Sequence, residues 1–439
     1  MKARALFLVA SFVCAPPACL FGQIDCSANS PTGTKLICEL PVTATNLVPA
    51  GGPAALTAAQ AAASSINASI GTQLTQLPVP SASVGTVTLQ KKGSDSGVPW
   101  ENLGPILTDR PDTVGRGHVF AGFSYQHFNF NAIDGVNLSA FPVAYTFGPT
   151  SADPLVYFGS ISNNIKFSLD QYVALMTVGV SKTTDISVVV PVNNVSLGVL
   201  TSNFQIYSYG VPPNSSSTTP IWQQYGSPGS VQTAGSASGL GDITVNLKQM
   251  IHGRDGTKFA MAAGAAFRFP SGDALNYLGS GALGGNVYGL FEYRAHFAPH
   301  LKVSYQWNDA SKLVNPTAGT NYRLPGGLQY AAGTDFRVTS HLTLVADILG
   351  SQYVNSPFLS AGVLTLTPTP PPSTAPATLN SVITSHTTYT TSNFSGGIKV
   401  SPIRHMVFFA NVLLQMNNVG LRSDPVPLVG ISYNFGRSN

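Results

Sequence analysis

The stretch Lys258-Phe259-Ala260-Met261-Ala262-Ala263-Gly264-Ala265-Ala266-Phe267-Arg268-Phe269 alternates along its whole length. Phe259, Met261, Ala263, Ala265, Phe267 and Phe269 fall on one side, with Lys258, Gly264 and Arg268 on the other. A period of two is that of a β-strand, and a strand with one apolar face and one carrying Lys and Arg separates two different solvents. The phase recurs in Ile243, Val245, Leu247 and Ile251 against Asp242, Thr244, Asn246 and Lys248. It recurs again in Leu301, Val303, Tyr305 and Trp307 against Lys302, Ser304, Gln306 and Asn308, and in Leu342, Leu344, Ala346 and Ile348 against His341, Thr343 and Asp347.

Composition says which solvents these are. Only 9% of the 439 residues are charged, whereas soluble domains carry about 25%, so an ordinary water-facing surface cannot be built. Beyond the N-terminus there is no apolar run of about 18 residues, which excludes membrane-spanning helices. Lipid leaves no backbone N–H or C=O unpaired, and the remaining way to cross it is a closed barrel. The expected fold is therefore all-β: a transmembrane antiparallel β-barrel with an N-terminal non-barrel extension. A net charge of +4, scattered along the chain, gives no footprint for nucleic acid.

Twelve strands are expected, at about Gly117–Phe130, Ile165–Ser181, Thr184–Val192, Leu240–Ile251, Thr257–Phe269, Gly285–Phe297, Leu301–Trp307, Leu328–Val338, His341–Leu349, Asn393–Ser401, Met406–Met416 and Val426–Phe435. Their joins alternate short and long, as in outer-membrane barrels, where short turns face the periplasm. The short joins are Lys182–Thr183, His252–Gly256, Ala298–His300, Thr339–Ser340 and Pro402–His405; Pro212–Ser238 and Tyr353–Thr391 are long and read as irregular loops. An even strand number returns both barrel ends to the periplasm. Tyr433 and Phe435 close the last strand as an aromatic girdle and resemble a signal for the barrel assembly machinery. Expected partners are outer-membrane lipids, that machinery and a small-molecule substrate.

Four regions follow along the chain. Residues 1–22 pair two basic residues with the apolar core Ala5–Val13 and read as a secretory signal peptide. Residues 23–97, rich in Ala, Ser, Thr and Pro, read as a low-complexity periplasmic extension, with a short helix within Pro53–Gln76. Cys26 and Cys38 would meet an oxidising periplasm and can pair. Residues 98–116 are a plug or a lead-in, and 117–436 form the barrel.

Charge on the lipid side costs about 2–4 kcal/mol per Lys or Arg at the bilayer midplane, so charged residues are assigned to the lumen. Extending each strand's phase places Lys166, Asp170, Asp242, Lys248, Lys258, Arg268, Glu292, Arg294, Lys302, Asp335, Arg337, Asp347 and Lys399 inward. Two readings stay open: these charges pair across the lumen and close it, or they ring a narrow polar path. Asp109, Arg110, Asp112 and Arg116, in the densest charged stretch of the chain, are the plug candidates. The opposite face, with Phe259, Phe267, Val303 and Leu344, belongs in lipid.

Several phrases resemble one family of outer-membrane transporters. These are Thr108-Asp109-Arg110-Pro111-Asp112, the strand pair around Val178 to Pro191, Gly239-Leu240-Gly241-Asp242-Ile243, Phe269-Pro270-Ser271-Gly272-Asp273, and Tyr330 to Leu349. From Pro105 to the C-terminus their order is similar to the family labelled MetA-pathway of phenol degradation, itself similar in plan to long-chain fatty-acid transport barrels. Ser271 stands where family members commonly have Thr. The resemblance implies a channel for small apolar or aromatic molecules whose lumen is gated by the segment before the first strand. An adhesive or structural barrel acting through its loops is the alternative. No enzyme is expected: the eight histidines, His118, His127, His252, His296, His300, His341, His386 and His405, sit mostly at turns or strand ends. None has a Ser two residues away on one strand near the outer rim to begin a triad, and no metal or cofactor motif occurs.

Overall fold

The computed structural model describes residues 26, 33–40, 66–74, 77–80, 103, 105–147, 155–211, 221–226, 230–253, 257–295, 297–311, 313, 323–339, 341–365, 378–403 and 405–435. The expected signal peptide, 1–22, lies outside them.

Twelve antiparallel strands form a closed wall. They are β1 Val119–Ile133, β2 Val156–Gly179, β3 Thr184–Gly210, β4 in two segments Val231–Leu240 and Ile243–His252, β5 Phe259–Phe269, β6 Gly284–Tyr293, β7 Phe297–Asn308, β8 Gly327–Arg337, β9 Leu342–Thr365, β10 Thr378–Ile403, β11 Met406–Gln415 and β12 Val426–Asn434. Each pairs with the next, and β1 returns to β12 from Phe120↔Asn434 to Gln126↔Leu428. Closure leaves no sheet edge, which is what crossing a bilayer demands of strands. Short pieces at Val136–Asn137, Phe141–Phe147, Ile221–Gly226 and Leu421–Ser423 extend the sheet at the end away from the short turns.

The exterior is apolar to a degree that water would not tolerate. Met176, Ile186, Leu247, Phe267, Val287, Tyr305, Leu344, Ile348, Ile398, Phe408 and Val429, from ten of the strands, are all exposed in one belt. Exposed apolar area of that continuity marks a lipid-facing surface. Phe259 belongs to it, and Val303 is half-buried on the same parity. Alternate residues turn inward and are buried, as in β2, where Val173, Leu175 and Thr177 are enclosed while Tyr172 and Met176 are not.

Four strands are far longer than expected. A bilayer takes about 9–11 residues of a tilted strand, yet β2, β3, β9 and β10 run on as hairpins beyond that depth. Much of Tyr353–Thr391, expected as irregular loop, is ladder, pairing from Ser356↔Thr387 to Thr365↔Thr378. Val231–Ser238 of the other expected loop pairs with β3 in the same way. Past the lipid the outward face meets water, while the inward face of β2 and β3 stays enclosed, with Phe167, Leu169, Val195, Leu197 and Val199 buried; Thr still favours extended pairing there.

β4 breaks where a continuous strand was expected. Val192 faces Leu240 and Val189 faces Thr244, so β4 carries an extra residue there as a bulge. The inward parity changes across the break, and Asp242 enters the interior. Its carboxylate accepts the backbone N–H of Gly272 at 3.2 Å and of Ser280 at 2.7 Å, pinning the loop between β5 and β6 to the bulge.

The largest departure concerns the N-terminal region. The described residues of 23–97 do not extend away from the barrel; most of them are buried against its inner face. Cys26 and Cys38 form a disulfide. The turn Leu36–Cys38 meets the β5–β6 loop, with Lys35 Nζ 2.8 Å from Asp273 and Leu36 N–H on Asn276 Oδ1 at 3.1 Å. Residues 66–74 are helical. Asn67 accepts from the Tyr277 hydroxyl at 2.7 Å, and Gln73 donates to Tyr389 at 2.6 Å. Gln126 on β1 donates to Pro78 O at 3.0 Å. Richness in Ala, Ser, Thr and Pro with few aromatics suggested a periplasmic extension; the same small residues suit a confined interior, where bulky side chains come from the wall.

Candidate functional site: the lumen and its inserted segment

Of the described residues, Leu36–Cys38 lie toward the hairpin end and Val114–Gly117 at the short-turn end, where the chain leaves the lumen to become β1. Gly115 and Gly117, at φ +86° and +76°, make that exit turn, a conformation open to glycine at little cost. A side chain is also excluded on the facing wall, since a Cβ at Gly179 would lie 1.8 Å from Gly115 O.

Between residues 103 and 114 the segment is bound to the wall by charge. Arg110 is buried, 3.1 Å from Glu292 of β6 and 3.3 Å from Asp112. Asp112 in turn pairs with Arg294, just past β6. Lys248 of β4 reaches Asp109 at 3.3 Å and Arg110 O at 3.0 Å. Lys399 of β10, fully enclosed, donates to Leu103 O at 2.8 Å and Pro105 O at 2.5 Å. Asp185 of β3 accepts the Val114 N–H at 3.0 Å. Cations and carboxylates removed from water are tolerable only when paired in this way. Beside this network His300 of β7 sits 2.6 Å from Asp347 and 4.0 Å from Asp335.

The residues assigned to the lumen from sequence are thus found in several places. Lys248, Glu292, Arg294 and Lys399 hold the inserted segment; Asp335 and Asp347 flank His300; Asp242 lies 3.6 Å from Arg268. Lys302 faces an internal cavity, and Arg337 lies on the inward parity of β8 near the short-turn end. Lys166 and Asp170 are corrections. Both occupy the outer parity of β2, Lys166 exposed and Asp170 accepting from Tyr125 at 2.7 Å and lying 2.8 Å from His127. They stand in the part of β2 beyond the lipid, where an outward charge meets water, so the rule that drives charge inward does not apply there. Lys258 is likewise exposed, at a short turn. Of the plug candidates, Asp109, Arg110 and Asp112 are buried in the lumen, whereas Arg116 is exposed at the exit turn.

Above the charged network lies a cavity of about 330 Å³. Leu77, Pro78 and Leu107 of the inserted chain, with Phe128 and Phe130 of β1, give it an apolar side; Asn246, Tyr288, Lys302, Ser304 and Gln306 give it a polar one. Tyr288 was legible by parity from Glu292, four residues on along β6. Arg422, which also borders the cavity, sits in the short Leu421–Ser423 strand, and no pattern announces it. Tyr288 lies across Gly264 of β5 and donates to Asn246 at 2.8 Å. A Cβ on Gly264 would fall 2.3 Å from the Tyr288 hydroxyl. Gly264→Val should therefore displace the ring and cost about 1–3 kcal/mol of stability through overpacking, read as an earlier midpoint in denaturant unfolding. An unchanged midpoint would show that the ring has somewhere else to go.

On the outer side of the lumen, burial works against the charge of Asp273, but the hydrogen bond and charge of Lys35 outweigh it and hold the carboxyl below its usual range.

No family model matches the sequence, and no curated protein matches it. Among solved structures, the COG4313 outer membrane channel from Pseudomonas putida F1 is 11% identical, with a TM-score of 0.41, over 74% of this chain and 98% of that one. The CymD monoaromatic hydrocarbon channel is 10% identical, TM-score 0.31, over 74% and 90%. The translocator domain of the autotransporter NalP from Neisseria meningitidis is 10% identical, TM-score 0.29, over 73% and 88%. At these values the likeness adds nothing to the barrel seen directly in this chain.

Proposed function

We propose that this chain is an outer-membrane channel for small apolar or aromatic molecules. The observation that carries the reading is the cavity itself: a concave space with an apolar, aromatic-rich side inside a closed barrel whose exterior suits lipid. Concave sites of mixed lining, with a few placed polar groups, are what small-molecule recognition uses. A broad aqueous pore needs more strands; at twelve the lumen is narrow, and here the N-terminal chain occupies it. The short turns then face the periplasm and the long hairpins the outside. A strain lacking the protein should take up aromatic substrates more slowly, with sugar and amino-acid entry unchanged. A general loss of small-solute entry would point to a porin instead.

One observation favours a second reading. The projecting far ends of β2 and β3 and the β9–β10 hairpin offer surface well beyond the membrane, as an adhesive barrel would. An intact uptake profile across a broad substrate panel would move the function there.

A further inference from the structure

We infer that the lumen cavity binds compact aromatic carboxylates, with Lys302 as the group that holds the carboxylate. This deepens the channel reading and rests on it.

The argument begins with the charges that border the cavity: Asp109, Arg268, Lys302 and Arg422. Asp109 is engaged by Lys248 at 3.3 Å, and Arg268 has Asp242 at 3.6 Å and Asn308 at 2.6 Å. Lys302 and Arg422 differ from them. Among the described residues, neither has a carboxylate within ion-pair distance. Arg422 donates to the side-chain oxygens of Asn393, at 3.0 Å, and Asn417. The ammonium of Lys302 lies over the Tyr288 ring, 5.0 Å from its centroid, and makes no hydrogen bond to any described residue. Elsewhere in the lumen Arg110, Lys248 and Arg294 are matched with carboxylates. The cavity therefore carries surplus positive charge: three of the four charged side chains that border it are cations, and two of these have no carboxylate at ion-pair distance among the described residues.

That surplus selects the ligand class. A neutral hydrocarbon filling the cavity would strip water from the Lys302 ammonium and return nothing, a cost of several kcal/mol for a charge. A carboxylate returns a charge-assisted hydrogen bond, roughly twice as strong as a neutral one. The ring contact of Lys302 survives its arrival, because a cation over a π-face keeps its other donors directed elsewhere. The body of the ligand follows from the opposite side, where Phe128 and Phe130 stack at 5.8 Å between centroids and Leu77, Pro78 and Leu107 close the space. Flat apolar rings fit such a surface. A volume of about 330 Å³ is at the lower end for ligand pockets, which favours one or two rings over a long chain.

The test uses the full chain, purified in detergent, with three probes: benzoate, acetate and benzyl alcohol. By calorimetry benzoate should bind about tenfold more tightly than either of the others, since only it has both the charge and the ring. Lys302→Met should remove the preference for benzoate over benzyl alcohol, while Lys302→Arg retains it. Benzoate binding no tighter than benzyl alcohol to the unaltered protein overturns the inference without recourse to any variant, and leaves the channel reading standing. Acetate binding as tightly as benzoate overturns the aromatic part. Binding of neither aromatic probe removes both the inference and the reading beneath it.

Discussion

Arg110→Ala should release the inserted segment and open the lumen. The guanidinium is buried and spans two carboxylates, Glu292 at 3.1 Å and Asp112 at 3.3 Å. Glu292 is 1% exposed, and the ion-pair partner it has in the structure is Arg110. Removing one member of a buried pair leaves the other charged and unsolvated, which costs about 3–5 kcal/mol. The wall itself is held by ladders between neighbouring strands and does not depend on this pair. The penalty should therefore fall on the seating of residues 103–114 and spare the barrel. In planar bilayers the variant should show larger or more frequent conducting events than the unaltered protein, with heat-modifiable barrel mobility preserved and faster proteolysis before β1. Adding Glu292→Gln to Arg110→Ala should restore part of the seating, because no orphan charge then remains. Equal conductance in all three proteins would mean that backbone contacts such as Lys399 to Leu103 and Pro105 hold the segment without help from the charge latch.

All twelve wall strands were legible in the sequence because lipid imposes period two on the part of each strand that crosses it. The Lys258–Phe269 stretch shows this most plainly, and its outward residues Phe259 and Phe267 are exposed. Where lipid ends, so does the legibility. Thr378–Thr391 pairs with β9 across one bulge, and from Ile383 to Thr388 it is exposed on both faces, so nothing there selects an alternation to read. The same boundary explains Lys166 and Asp170, whose outward charge needs no lumen. The inserted chain was hidden for a different reason. Its contacts are long-range: Lys35 meets Asp273, Gln73 meets Tyr389 and Arg110 meets Glu292. None of these has a local signature. The charge density of Asp109–Arg116 and the family resemblance were the clues, and both pointed to the lower half of a segment whose upper half is Ala- and Ser-rich. Arg422 and the sign of the cavity's charge could be found only by seeing which cations have partners.

Ile348→Arg should destabilise the barrel in a bilayer by about 2–4 kcal/mol, the cost of a cation held toward the middle of the membrane from the outside. Ile348 is exposed on β9 between Ala332 of β8 and Phe394 of β10, so the new side chain would emerge among apolar neighbours. Leu344, on the same face but closer to the short turn, lies nearer the interface, and Leu344→Arg should cost less because the guanidinium can reach the headgroups. Thr244 of β4 has the opposite orientation and borders the cavity. Thr244→Arg avoids the lipid penalty and should act on conduction instead of stability. Unfolding titrations in lipid vesicles would read the first two, and bilayer conductance the third. The ordering Ile348 over Leu344 is the discriminating result. A barrel whose outer belt is covered by protein instead of lipid would show no dependence on depth, and equal penalties at the two positions would therefore remove the membrane assignment on which the channel reading stands.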